Sequence, residues 1–321
     1  MNSKTRAPVS VIVPSYNCGS FIAQAIDSIL AQTMAPAQII IVDDGSTDET
    51  ELAVRRCKDA RIEYIKQAHA GVATARNTGL RAARGEFVTF LHADDRWGPE
   101  FVERMHDFLS EDPTVVCAFS NFVRFSHTTG KIVSDQFTFY PELRRPVLLQ
   151  NVPTAFARIP KERAFSALVA CNEIPAYMQV MMFRRAAIES LRFDPTLVLG
   201  ENTNFALQTY LRGGVMFTDE VLVEVRIHDA DGTASAADRA VHELNALKAL
   251  APHVTRSVDL AAYHDRLVKA HIDAALHQTR AGRVRGGLRS YREGVRIPGS
   301  RLRKFKGAMR LVLALPKGLG N

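Results

Sequence analysis

Residues 87–97 read FVTFLHADDRW. Phe87, Val88, Thr89, Phe90 and Leu91 have the character of a buried strand that runs into His92, Ala93, Asp94 and Asp95, which would deliver two adjacent carboxylates to its C-terminal edge. Open α/β sheets bind their ligands at that edge. Neighbouring carboxylates repel, so the pair is costly unless a cation, hydroxyl donors or water share it. The plainer alternative is an acidic turn that leads into a helix after Pro99, a common use of Asp. The surrounding chain decides between the two.

Upstream, Val9 to Pro14 reads as a first buried strand, and Phe21, Ile22, Ala25, Ile26, Ile29 and Leu30 recur at helical spacing. Ile39 to Val42 gives a second strand, and Ser46-Thr47-Asp48-Glu49 has the form of a capping box opening a helix to about Cys57. Ile62 to Ile65 is a third strand, residues 71–83 a helix, and residues 86–91 the fourth strand, with Pro99 as the first residue of the following helix. Four alternations of strand and helix predict a mostly parallel sheet with helices on both faces, a nucleotide-binding architecture.

Downstream, Val115 to Phe119 adds a strand, and Phe122 to Phe139 forms a hairpin or flap around Thr129-Gly130. Residues 140–176 are broken by five prolines and read as loops and short helices of the kind that shape a cleft. Order returns with Val180 to Phe183, a short helix at 185–190, a helix over 203–212, and strands at 215–217 and 221–226. Beyond Thr233 the composition turns Ala, Leu, His and Arg rich, which predicts helices over 237–250 and 260–281. The domain expectation is one α/β domain over 1–232, with a donor half at about 8–120 and an acceptor half at about 121–232, followed by a helical extension over 233–321.

The net charge of +7 is unevenly placed: residues 280–321 hold twelve Lys and Arg against Glu293 alone, so the rest of the chain is acidic. The last segment sets Leu302, Phe305, Met309, Val312 and Leu313 near one helix face among Arg301, Arg303, Lys304, Lys306 and Arg310. Such a stretch can lie on an anionic membrane surface, or pack as a basic helix on the domain. Nucleic-acid binding is disfavoured, because no aromatic interleaving or binding module accompanies the charge. The four cysteines lie far apart, with no C-x-x-C spacing. No apolar run reaches the roughly 18 residues of a spanning helix. The expected location is cytoplasmic, with peripheral attachment to the inner face of the cell membrane.

Four clusters fall at the predicted strand ends: Pro14-Ser15-Tyr16-Asn17, Asp43-Asp44-Gly45-Ser46, His69-Ala70-Gly71 with Arg76-Asn77, and His92 to Asp95. Singly, Tyr16 reads as a packing residue, Asp43-Asp44-Gly45 as a turn and Arg76 as a solvated helix residue. Together, on one sheet edge, an aromatic ring, carboxylates and an arginine suit a nucleotide diphosphate and its metal. Neither G-x-G-x-x-G after the first strand nor a P-loop motif is present, which disfavours dinucleotide dehydrogenases and P-loop enzymes.

The ordered motifs VSVIVPSYN, IIIVDDGSTDET, AGVATARNTGL, GEFVTFLHADDRW, MMFRR and LRFDPTLVLGEN resemble the family 2 inverting glycosyltransferases of GT-A fold over about residues 8–235. The resemblance implies that Pro14, Tyr16 and Asn17 lie at the nucleotide base and that Asp44 recognises it, with uracil favoured. It also implies that Arg76 sits near the nucleotide, that Asp94 contacts ribose, and that Asp94 and Asp95, with His92 as a further candidate, hold Mg²⁺ or Mn²⁺. Arg226-Ile227-His228 resembles the late R-x-H segment near the diphosphate. The implied reaction moves a sugar with inversion from a nucleotide-sugar to a hydroxyl of a glycan or lipid-linked acceptor, in cell-surface polysaccharide synthesis.

Two departures stand out. His92 replaces the first acid of the usual L-D-A-D-D, and Gly200-Glu201-Asn202-Thr203-Asn204 replaces G-E-D-x-D. Asn202 therefore occupies the general-base position, and an amide takes no proton at neutral pH. Glu201 is the nearest carboxylate, and residues 140–173 offer others. The alternative reading is a catalytically impaired nucleotide-sugar-binding homologue that acts as a partner or regulator.

Overall fold

The computed structural model describes residues 6–135, 156–171, 173–228, 235–299 and 301–314. The first strand, β1 (Arg6–Ser15), is buried along almost its whole length, as a central parallel strand covered on both faces must be. It pairs in parallel with β2 (Ala35–Asp43) on one side and β4 (Phe87–Phe90) on the other, and β2 pairs in parallel with β3 (Ile62–Lys66). Between them run α1 (Ile22–Leu30), α2 (Thr50–Arg56) and α3 (Val72–Ala82). The chain steps from β1 outward to β3 and then returns to place β4 on the far side of β1. Right-handed crossovers put α3 on the face opposite α1 and α2, and β1 and β4 flank the switch point where such sheets bind ligands.

Helix α3 lies so close to β1 that a Cβ at Gly79 would come 2.3 Å from Cγ2 of Ile12. That contact fixes the height of Arg76, one turn earlier on the helix. At the start of α3, Gly71 takes φ 88, a conformation that side chains seldom adopt.

Beyond β4 the sheet becomes mixed. The short β5 (Arg96–Trp97) and helix α4 (Phe101–Glu111) lead to β6 (Val115–Ser126), which turns at Gly130 into antiparallel β7 (Ile132–Asp135). After β8 (Phe156–Ile159) and α5 (Lys161–Val169), β9 (Met181–Arg184) inserts antiparallel between β4 and β6. Helices α6 (Arg185–Ile188) and α7 (Glu201–Tyr210) precede β10 (Gly214–Ile227). The order is β3-β2-β1-β4-β9-β6-β10-β5, with β7 on β6 and β8 on β10, and its long ladders are the parallel ones.

The remaining helices are α8 (Ala236–Leu250), α9 (Ser257–Arg280), α10 (Val284–Arg296) and α11 (Arg301–Ala314). Leu244, Leu247 and Leu250 of α8 and Leu267, Ala270 and Ala274 of α9 belong to the same apolar core as the sheet. The other face of α9 forms a second small cluster, Val268, Ile272, Ala275 and Leu276, closed by Leu311 of α11.

Several element boundaries differ from the sequence expectations. The capping box at Ser46 does not form, and α2 begins at Thr50. Ser46 Oγ instead accepts from the Asn17 amide, Asp48 from the Gly19 and Thr50 amides, and Thr50 Oγ1 from the Cys18 amide. These side chains tie the loop after β1 to the loop after β2, so they are spent on the site and not on a cap. Helix α4 starts at Phe101, because Pro99 lies before it and its carbonyl accepts from the Thr33 amide at 2.8 Å. The two strands expected at 215–217 and 221–226 are one strand with an irregularity between Phe217 and Val221. Neither β5 nor α10 was legible. The first has two residues, and the second carries Gly286, Gly287 and Gly294 among arginines, which hides its helical period. The expected flap over 136–139, much of the 140–176 stretch, the 232/233 boundary and residues 315–321 lie outside the described residues.

Candidate active site

Four loops meet at the C-terminal edge of β1, β2 and β4. Pro14 is buried within β1, opposite Val42. Two residues later Tyr16 is 45% exposed and stacks on the His69 ring with centroids 4.1 Å apart. Asn17, at φ 51, closes the turn: its amide donates to Ser46 Oγ and its Oδ1 accepts from the Thr47 amide, both at 2.9 Å.

The two acids after β2 have different surroundings. Asp43 is fully buried, with Oδ1 accepting from the Ser46 amide at 2.8 Å and Oδ2 accepting from the Tyr64 hydroxyl. Asp44 turns the other way, into the loop before α3. Its oxygens accept from Gln67 Nε2 at 2.6 Å and from the Ala70 and Gly71 amides at 3.0 and 2.8 Å, and His69 Nδ1 lies 2.9 Å away. Asp44 thus clamps the N-terminus of α3, where an anion is favoured by the helix dipole.

At the end of β4, His92, Asp94 and Asp95 bring one ligand atom each to within 4.8 Å of one another. Asp94 Oδ2 faces His228 Nε2 at 2.8 Å. Asp95 is buried; its Oδ1 accepts from the Arg226 amide at 2.9 Å, and its Oδ2 has no hydrogen-bond partner, with His92 Nδ1 3.5 Å away. Burial pushes the Asp95 carboxyl above the usual range, Asp94 adds to this, and His92 opposes it. The Arg226 guanidinium is drawn inward. Its Nε donates to the Asp94 carbonyl at 2.8 Å and its Nη2 to Gln24 at 2.9 Å, and it lies over the Phe21 and Phe125 rings. It clamps the acidic turn onto the end of β10.

A buried polar chain runs from this edge to α7. Arg76, 2% exposed, reaches His92 Nε2 at 3.0 Å with Nη2 and Glu201 Oε1 at 2.9 Å with Nη1, and its guanidinium lies over the Phe193 ring. An Nε2 that faces a guanidinium must accept, so the His92 proton sits on Nδ1, toward Asp95. Burial pulls the Arg76 pKa down and Glu201 opposes that pull, so the carboxylate keeps the guanidinium charged. Asn202 follows Glu201 in the first turn of α7, and its Oδ1 is buried without a partner.

The residues expected at a divalent cation fit one. A buried carboxylate oxygen on Asp95 without a hydrogen-bond partner and a second carboxylate on Asp94 are hard oxygen ligands of the kind that Mg²⁺ or Mn²⁺ accepts. His92, with Nε2 on Arg76 and its proton on Nδ1, stands beside them as a neighbour and would have to give up one of those roles to ligate. The structure places Tyr16, Asn17, Asp44, His92, Asp94, Asp95 and His228 at loops and strand ends, with Arg76 on α3 joining His92 to Glu201 at the start of α7, and leaves Pro14 inside its strand. Sequence reading missed Phe21, Gln24 and His127 as neighbours: His127 approaches the Arg226 guanidinium, and its ring meets Phe21 edge-on. A lone histidine after an apolar strand carries no such signal. His69 stands in the third strand-end cluster of the sequence, but its contact with Asp44 depends on tertiary structure.

The switch-point edge, the acidic turn and the mixed outer sheet define a GT-A glycosyltransferase fold. The structure superposes on residues 1–349 of Staphylococcus aureus TarS in complex with UDP-GlcNAc, with a TM-score of 0.68 at 15% identity, over 95% of this chain and 88% of that one. It also superposes on the mannosyltransferase PcManGT of Pyrobaculum calidifontis in complex with GDP-Man and Mn²⁺, with a TM-score of 0.57 at 20% identity, over 97% and 81%. The model of glycosyl transferase family 2 matches residues 10–190, and the chain belongs to that family. It is 46% identical over 206 residues to EpsJ, an uncharacterized glycosyltransferase of Bacillus subtilis (strain 168), covering 63% of this chain and 56% of the relative. It is 29% identical over 167 residues to chondroitin synthase of Escherichia coli, covering 51% of this chain and 24% of the relative. The chain thus spans little more than half of the first relative and about a quarter of the second.

Proposed function

We propose that this protein is an inverting glycosyltransferase that takes a sugar from a nucleotide-sugar, UDP-linked by preference, and passes it to a hydroxyl of a glycan or lipid-linked acceptor in cell-surface polysaccharide synthesis. The observation that carries the reading is the His92, Asp94 and Asp95 cluster with its orphaned Asp95 oxygen, joined through Arg76 to Glu201. Asp94 and Asp95, with His92 beside them, would hold Mg²⁺ or Mn²⁺, which neutralises a departing diphosphate when bound. Tyr16 offers an exposed ring face to the base, Asp44 and Asn17 hold the two loops that frame it, and His228 orients Asp94. Arg76 keeps the turn after β4 and the start of α7 at a fixed separation, so that donor and acceptor sides stay in register.

Base catalysis is the weaker half of the site. Oε1 of Glu201 is engaged by Arg76, and the Asn202 amide accepts no proton, so hydroxyl activation is reduced by the ~10²- to 10⁴-fold that a positioned base supplies. Slow transfer is the expected outcome. Asn202 and His92, each standing where the family pattern has an acid, favour a second reading, a catalytically impaired nucleotide-sugar-binding homologue that acts as a partner or regulator.

The test is release of nucleoside diphosphate from a panel of nucleotide-sugars with Mn²⁺ and hydroxyl acceptors present. Slow release from a UDP-sugar, lost on Asp95→Asn and accelerated on Asn202→Asp, is expected. No turnover of any donor by the wild type, alongside an active Asn202→Asp variant, selects the second reading.

A further inference from the structure

Helix α11 has two faces of different character. Gly307 and Leu311 are buried against α9, and the side chain of Ile272 fills the space beside Gly307. On the opposite side Phe305, Met309, Val312 and Leu313 are 65, 54, 66 and 84% exposed. At 100° per residue these four fall within one third of the helix circumference. Four large apolar side chains in one outward stripe differ from the singly scattered apolar residues of an ordinary surface.

Next to that stripe, α9, α11 and the end of α5 enclose an open cavity of about 640 Å³. Its charged lining is five cations, Arg266, Lys269, Arg303, Lys306 and Arg310, against two acids, Asp265 and Asp273. Some of this charge is already used: Arg266 pairs with Glu243 and Lys269 with Asp273, and Arg303 donates to the Asp265 carbonyl. Lys306 and Arg310 form no ion pair among the described residues, and both lie on the flank of α11 between the apolar stripe and the buried face.

We propose that α11 is a membrane-docking helix: Phe305, Met309, Val312 and Leu313 enter the interface of an anionic bilayer, and Lys306 and Arg310, with the cavity behind them, take lipid phosphate headgroups. Charge and geometry favour a bilayer over other occupants. Residues 280–321 hold a single acid, so a second copy of this face would meet its like charge. A convex apolar stripe beside a cationic flank is the arrangement of an interfacial amphipathic helix. Each cation near the surface of an anionic leaflet adds ~1 kcal/mol, so two exposed cations change partitioning by about tenfold or more. Docking is separate from sugar transfer, although it would bring the site toward a lipid-linked acceptor.

The experiment is co-sedimentation of the full chain with phosphatidylcholine vesicles and with mixed phosphatidylcholine and phosphatidylglycerol vesicles, at low and high salt. The expected result is partitioning onto the anionic vesicles alone, weakened by salt, and reduced about tenfold or more by Lys306→Glu with Arg310→Glu, and likewise by Phe305→Ser with Met309→Ser. All four side chains are exposed, so the variants keep the wild-type circular dichroism and thermal midpoint, which separates lost docking from lost folding. Equal binding to neutral vesicles, or binding that neither variant changes, would overturn the proposal. So would self-association abolished by the serine pair, tighter binding of a nucleic acid in place of vesicles, or retention of inorganic phosphate without vesicle binding.

Discussion

At the scale of single residues, the Arg76–Glu201 pair is the most exposed to mutation because it is the least exposed to water. Both side chains are under a tenth accessible, and each neutralises the other in a low-dielectric setting. Removing one partner strands a buried charge, which costs about 3–5 kcal/mol, whereas replacing both with apolar residues of similar size is often near neutral. Arg76→Met and Glu201→Met should each lower the urea midpoint strongly, and the double variant should recover most of the loss. A double variant as unstable as the sum of the singles would mean that the pair does not act as a unit. Donor turnover should not recover with stability, because His92 then loses the guanidinium that its Nε2 faces. The sequence showed Arg76 and Glu201 as candidates in separate motifs, 125 positions apart, and offered no means of pairing them. Contacts at that separation follow from the topology, and the local pattern is silent about them.

At the scale of elements, β1 to β4 and their helices were legible because hydrophobic period and strand alternation are local signals that burial on both faces amplifies. What was lost lay where side chains serve tertiary ties. Ser46, Asp48 and Thr50 look like a helix cap and in fact join two loops of the site. Gly79 shows the converse, a residue of poor helix propensity retained because α3 must approach β1. Gly79→Ala should cost about 1–3 kcal/mol by overpacking against Ile12. Ile12→Val removes a different methyl, Cδ1, and leaves Cγ2 in place, whereas Ile12→Ala clears the space and should return part of the Gly79→Ala loss in the double variant. Equilibrium unfolding of the four chains checks the coupling, and strict additivity would place the strain elsewhere. A second element-scale prediction concerns the link from α2 to β3. Asp59 accepts from Arg61 through both oxygens, and its pKa is lowered to about 2. A carboxylate depressed in the fold stabilises above its unfolded pKa and loses that contribution as pH falls toward 2. With solvent screening of a partly exposed pair, Asp59→Asn should cost about 1 kcal/mol at neutral pH. That difference should shrink between pH 4 and pH 2 in urea titrations, and a pH-independent difference would assign the effect to packing.

At the scale of the whole molecule, composition located the basic tail but not the join between tail and domain. The family match ends at residue 190, yet α7, which carries Glu201 and Asn202, lies beyond it and is covered by α8. Asn204 of α7 donates to the Ala246 carbonyl at 3.0 Å, and Arg266 of α9 donates to the Cys171 carbonyl at 2.7 Å. Leucines of α8 and α9 complete the same core as the sheet, so these helices belong energetically to the domain. Helix α11 instead closes the smaller cluster, to which it gives one fully buried side chain, Leu311. Burying one leucine is worth about 1.5–3 kcal/mol. A chain ending at Gly299 should therefore fold, unfold in one transition, and lose only a few degrees of thermal midpoint. A chain ending at residue 232 strips the cover from α7 and exposes the leucine faces that α8 and α9 fill, and it should be insoluble or molten. Calorimetry and near-ultraviolet circular dichroism of the two chains separate the cases. A cooperative, soluble 1–232 chain would make α8 and α9 an appended domain after all, and would leave the Asn204 and Arg266 ties as surface contacts of little energy.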